Sequence, residues 1–193
     1  MTASLPLSAG ADAGLSFASI VGDGMVLQQG RPVQVFGFGR NGDTVTVTLK
    51  KGDEAVASQT AAVSGGRWNA ALPAQSGSFD EYSLEAKAGS VVRTVENLVF
   101  GEVWIAGGQS NMEWTLAKAA EAADWAKKEH TGKVRFFVSV DSGSDTQKDD
   151  VAGYWLTAVS WDAAQLCSAI GYMFAYNLSD TLGIPVGIVN TAQ

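Results

Sequence analysis

Two hydrophobic periods divide the chain. From about Ile20 to Val99, apolar and polar residues alternate in short runs. Thr44–Leu49 is the clearest, with Val45, Val47 and Leu49 on one side and three threonines on the other, the period of a half-buried strand. Similar runs at Val33–Phe38, Trp68–Leu72, Tyr82–Ala86 and Ser90–Val95 are separated by Arg40-Asn41-Gly42-Asp43, Lys51-Gly52-Asp53, Gly65-Gly66 and Gly89. Such clusters form turns, and short strands at this spacing predict a β-sandwich-like module. After Phe100 the period lengthens. The pattern predicts a buried strand at Val103–Ala106, a helix from about Ser110 to Glu129 stopped at Gly132, and a second strand at Val134–Val140. A polar loop, DSGSDTQKDD, follows. Trp161–Leu182 then reads as a helix with Leu166, Ile170, Met173, Phe174, Leu178 and Leu182 on one face, ended by Gly183 and Pro185 before a third strand at Val186–Val189. This β-α-β-α-β order predicts a parallel, doubly wound sheet. The expected division is an all-β module over residues 1–98 and an α/β part over residues 99–193.

Composition narrows the function. Thirteen basic and 20 acidic residues leave a net charge of −7, which argues against nucleic acid and polyanionic membrane surfaces as partners. No apolar run approaches the ~20 residues of a membrane-spanning helix, so membrane insertion is not expected. With one cysteine, Cys167, and one histidine, His130, neither an intrachain disulfide nor an ordinary structural zinc site can be assembled. No metal or cofactor is expected. The N-terminal MTASLPLSAGADAG lacks a basic n-region and is not read as a secretory signal. The sequon Asn177-Leu178-Ser179 falls inside a predicted helix and is read as a chance match.

Chemistry concentrates in Gly101–Trp114, GEVWIAGGQSNMEW. Ligands of α/β sheets bind where strands end and helices begin, and Ser110 stands there. A serine so placed can act as a nucleophile, its own N–H helping to hold a developing oxyanion. The same residues also spell a capping box, Ser110-x-x-Glu113, which starts a helix with no catalysis at all. Spacing leaves both readings open. The lipase-type elbow is absent, since Met112 stands where its last glycine belongs. His130, before Gly132, reads as a helix C-cap rather than a base. Trp68, Trp104, Trp114 and Trp125 read as core.

GGQSNMEW resembles the nucleophile segment of the sialate O-acetylesterase family, a branch of the SGNH hydrolases. The likeness continues through Asp23–Gln28, Pro32–Gly37, Gly66-Arg67-Trp68 with Leu72-Pro73, Gly101–Trp104, Cys167–Ala175 and Ile184–Asn190. It implies a β-sandwich-like domain leading into the first part of an SGNH (flavodoxin-like) parallel sheet. Ser110 is then the nucleophile and a backbone oxyanion donor, Gln109 and Asn111 shape the turn or touch substrate, and an acetylated carbohydrate is the partner. It also implies an extracellular or lysosomal setting. In that family an Asp and a His three residues apart arrive late in the chain. Here the residue three before His130 is Lys127. The glycine loop and later asparagine that complete the oxyanion hole would fall beyond Gln193. Residues 1–193 alone are therefore expected to show little esterase activity. Two other readings remain: a non-catalytic member of the family acting in binding or regulation, and a carbohydrate-binding sandwich with a vestigial α/β segment.

Overall fold

The computed structural model describes residues 14–140 and 144–192; all but the last residue of the N-terminal segment weighed above as a signal lies outside them. Strands β1 (Ser16–Phe17), β2 (Val26–Gln28), β3 (Val33–Phe38), β4 (Thr44–Lys51), β5 (Glu54–Ala62), β6 (Arg67–Leu72) and β7 (Ser78–Ala88) come first. The 16-residue β8 (Val91–Ala106) follows, then helices α1 (Ser110–Glu113) and α2 (Ala122–Trp125), β9 (Val134–Ser139) and β10 (Gly153–Thr157). Helices α3 (Trp161–Ala164) and α4 (Ala169–Leu182) lead to β11 (Val186–Asn190).

A three-stranded sheet, β1-β3-β6, lies over one half of a larger sheet ordered β10-β9-β11-β8-β7-β4-β5, with β2 parallel to β8. Alternation explains their shared core. Val45, Val47 and Leu49 of β4 are fully buried, as their period requires, and Val35, Trp68 and Leu72 meet them from the small sheet. The N-terminal part of β8 pairs antiparallel with β7, and its last five residues, Glu102–Ala106, pair parallel with β11. One strand therefore serves both cores. Gly101 marks the changeover: a Cβ there would strike the Pro185 carbonyl oxygen.

The parallel strands run β9-β11-β8. A flavodoxin-like order would place the first strand of this set between the second and third; here the third, β11, lies between the other two. Residues 107–133 carry β9 one position beyond the nearest slot, and the return through α4 fills the gap. Strand β10, unforeseen in the sequence, pairs antiparallel with β9.

The helices depart from expectation too. Residues 110–129 do not form one helix but α1, a 3₁₀ turn at Leu116–Lys118, and α2. The backbone leaves the helix at Trp114 (ψ 113°) so that Leu116 N–H and Ala117 N–H can bond to the carbonyls of Cys167 and Gln165. Trp161–Leu182 likewise breaks into α3 and α4. Ser168 caps α4 by accepting from Gly171 N–H (3.3 Å). The buried face of α4 is Ala169, Gly171, Tyr172, Ala175, Tyr176 and Ser179, whereas Leu166, Ile170, Phe174 and Leu182 are exposed. Small residues are chosen because the helix presses closely on the sheet; Gly171 faces the Phe136 ring and Ile188.

Candidate active site

The three parallel strands end together, at Ala106, Ser139 and Asn190. From Ala106 the chain turns through Gly107 and Gly108. Gly108 has φ +148°, a conformation costly for any residue with a Cβ. Gly107 sits so close to β11's exit that a Cβ would touch the Thr191 hydroxyl at 3.3 Å. Gln109 is extended and is the N-cap of α1, contributing no side-chain cap; its carbonyl accepts from Met112 N–H at 2.8 Å.

Ser110 is therefore the first helical residue, not the cap, and the capping box does not form. Ser110, Gln109 and Asn111 are all exposed. Thus the turn that the two glycines allow ends in an accessible hydroxyl at the carboxyl edge of the sheet. Single-turn α1 separates two hollows. Glu113 faces one of them and Asn111 and Trp114 the other; Ser110 stands between, three residues from Glu113 and four from Trp114. Glu113 lines a cavity of about 840 Å³ reaching over the ends of β9 and β11 to the 144–151 loop. Asn111 and Trp114 line an open depression of about 440 Å³ with Ala169 and Ile170.

Other candidates resolve differently. His130 does not cap a helix. Its half-buried ring lies beside Trp161, with Nδ1 2.6 Å from the Tyr172 hydroxyl. Burial, with Lys133 nearby, holds it below the usual histidine range. Its Nε2 is sealed from solvent with no partner. A base must reach the serine hydroxyl with a free nitrogen, and this ring is occupied within the core. Cys167 is buried, and burial pushes its thiol up to about 12, which makes it a poor nucleophile at neutral pH. Among the tryptophans, Trp68 and Trp125 are core as expected. Trp104 and Trp114 are about half exposed, Trp104 being covered in part by the Phe174 ring of α4. Trp114 instead donates to the Lys118 carbonyl (2.8 Å) and stacks beneath its ammonium. Ser179 of the sequon donates to the Ile184 carbonyl at 2.6 Å from inside α4. No group of three or more potential metal ligands occurs among the described residues, and no helix there is long and apolar enough to cross a membrane.

Sequence reasoning missed the 144–151 loop as a wall of the larger hollow. Asp150 accepts from the backbone N–H (3.0 Å) and hydroxyl (2.8 Å) of Ser19, and Asp149 pairs with Arg67. The adjacent Asp149-Asp150 at the end of the polar loop was the available signal.

Similarity to known proteins runs along nearly the whole chain. Sialate O-acetylesterases from Rattus norvegicus and Mus musculus are 30% and 31% identical over 203 residues, matching 96% of this chain. The chain spans 37% of the length of either relative. The crystal structure of a carbohydrate acetylesterase from Xanthomonas citri superposes with a TM-score of 0.82 at 29% identity, covering 92% of this chain and 40% of that one. No protein-family profile matches. The chain is thus homologous to sialate O-acetylesterases over nearly all its length.

Proposed function

We propose, on the footing of that homology, that the chain is the nucleophile-bearing front of a serine esterase that removes O-acetyl groups from sialic acids or related sugars. The observation that carries the reading is the exposed Ser110 on a glycine-enabled turn at the carboxyl edge of the sheet. The division into a sandwich-like domain (residues 1–98) and the start of an SGNH-type domain (99–193) belongs to the same reading, with the boundary falling inside β8.

In this mechanism the Ser110 oxygen attacks the acetyl carbonyl carbon while its proton passes to a histidine base. The backbone N–H of Ser110 donates to the oxyanion of the tetrahedral intermediate. Collapse breaks the bond to the sugar oxygen, which takes the proton from the base, and acetyl-Ser110 remains. Water, deprotonated by the same base, then releases acetate. Gln109 fixes the entry to α1 through its backbone, and Asn111, next after Ser110, shapes the same turn while lining the smaller hollow. The base is not His130, whose ring is held by Tyr172. Residues 1–193 alone therefore turn over at most traces of ester.

The test is hydrolysis of p-nitrophenyl acetate by the chain joined to the further length its relatives carry. Ser110→Ala should lower kcat by ~10³-fold or more, with KM little changed. Full activity in Ser110→Ala, or brisk Ser110-dependent turnover by residues 1–193, overturns the respective claim.

A further inference from the structure

The larger hollow adjoins the serine turn: Glu113 of α1 lines it, and so does Thr191, whose hydroxyl a Cβ on Gly107 would meet at 3.3 Å. Its size, about 840 Å³, falls in the range of small-ligand sites. The base is apolar: Phe136, Phe137 and Val138 of β9 and Val189 of β11 are joined by Ile20 and Phe36 from the β-module. Polar groups ring it, among them Ser139, Ser144, Thr146 and Asn190. An apolar floor under a hydroxyl-rich rim matches a sugar, whose ring C–H faces and hydroxyls demand those two surfaces.

The rim's charge is specific. Glu113, Asp149 and Asp150 face the hollow, with Lys148 as the cation lining it. Arg67 is engaged by Asp149. The Asp150 carboxylate is met by neutral donors, the Ser19 N–H and O–H and the Val151 N–H, so its charge is solvated without being cancelled. Arg135 cannot turn toward an anion. It is buried and bonded through Nη1 to the carbonyls of Gly24 (3.0 Å) and Asn97 and through Nη2 to the Asn97 side chain (3.0 Å).

We infer that this hollow seats the sugar whose acetyl group is presented to Ser110, and that its carboxylate rim, led by Glu113, selects uncharged acetylated sugars over those bearing a carboxylate. The inference rests on the esterase reading and narrows it to a substrate class. The β-module takes part in recognition, because Arg67 and Ser19 hold the 144–151 loop in place as a wall.

The test is ¹⁵N–¹H shift mapping on residues 1–193, titrated with 6-O-acetylglucose and with 9-O-acetyl-N-acetylneuraminic acid at matched ionic strength. Shifts should map to Glu113, Ser139 and Asn190, with the neutral sugar binding about three- to fivefold more tightly, the scale of one partly screened charge contact. Glu113→Gln should close most of that gap by raising affinity for the acid. So should ~0.5 M NaCl, by screening. Equal or tighter binding of the acid, an unchanged ratio in Glu113→Gln, shifts confined to Asn111 and Trp114, or no saturable binding of either sugar each overturn the inference. Failure here with Ser110-dependent turnover intact in the longer protein leaves the esterase reading standing. Sugar binding in the hollow with turnover indifferent to Ser110→Ala sinks the esterase reading instead.

Discussion

At the residue scale, His130 shows how a lone titratable group is settled by its neighbours. The ring lies against Tyr172 with Nε2 sealed from solvent, and this burial outweighs the opposing pull of the Trp125 backbone on its proton. Burial therefore favours the neutral ring in the fold. The unfolded chain binds the proton near the ordinary value of about 6.5, the folded chain only at lower pH. Between those two values the unfolded state gains the proton first, so this contribution to stability is complete above pH 6.5 and is lost as pH falls through the folded value. Melting temperatures of wild type and His130→Gln, measured from pH 7.5 to 5, should diverge accordingly. Wild type should lose about 1–3 °C more than the variant over that range. Parallel curves would mean that the ring titrates as it does in water.

At the element scale, the changeover in β8 depends on one missing methyl group. Gly101 lets the Pro185 carbonyl approach so closely that any Cβ would overlap it, and Glu102 N–H bonds to that same carbonyl at 3.1 Å. Gly101→Ala should push β11 away from β8 and cost about 3 kcal/mol, read as a fall of roughly 6–12 °C in melting temperature. A loss under 2 °C would show that the crossing can shift. The period-two pattern of β3, β4 and β6 was legible because each has one buried face, which writes alternation into the residues. Strand β5 was not, because its exposed Glu54–Ala62 carries little apolar signal; it is held by backbone pairing to β4 along nearly its whole length. In α4 the apolar stripe was right only in part: Met173 and Leu178 pack against the core, whereas its other members are exposed. Close helix–sheet packing selected Gly171 and Ala175, leaving Ile170 and Phe174 exposed. The turn after β8 was legible because Gly107 and Gly108 cut short an apolar run, while the reading of Ser110 as a nucleophile came from the family resemblance; the walls of the larger hollow were not legible, since they join residues as distant as Ile20 and Asn190.

At the scale of the whole molecule, the two cores are tied by more than β8. Arg135 of β9 grips Gly24 and Asn97, whose φ of +56° turns its carbonyl and side chain toward the guanidinium. Trp155 of β10 donates to the Ile20 carbonyl at 2.7 Å. Burial brings the Arg135 guanidinium down to about 10, so it remains charged at neutral pH. Arg135→Met removes the donors and leaves the two carbonyls without partners, a loss of about 2–3 kcal/mol. Calorimetry should show a single transition lowered by roughly 5–10 °C; two separated transitions would show that the halves unfold independently. The same architecture leaves one exposure unresolved. Along Glu102–Ala106, β8 pairs with β11 on one side, while β2 accompanies it only as far as Gly101. Ile105 is 73% exposed on this edge, with Trp104 and Phe174 in edge-to-face contact on the opposite face of the strand. An open strand edge with apolar flanks invites pairing with another chain. A net charge of −7 opposes association at long range, yet it is screened beyond about 8 Å in physiological salt. Residues 1–193 should therefore self-associate more as salt rises from 20 to 300 mM in sedimentation velocity, and Ile105→Lys should return them to monomer. A chain that stays monomeric at ~100 μM across that range would show that the charge and the twist of β8 protect the edge without a cover.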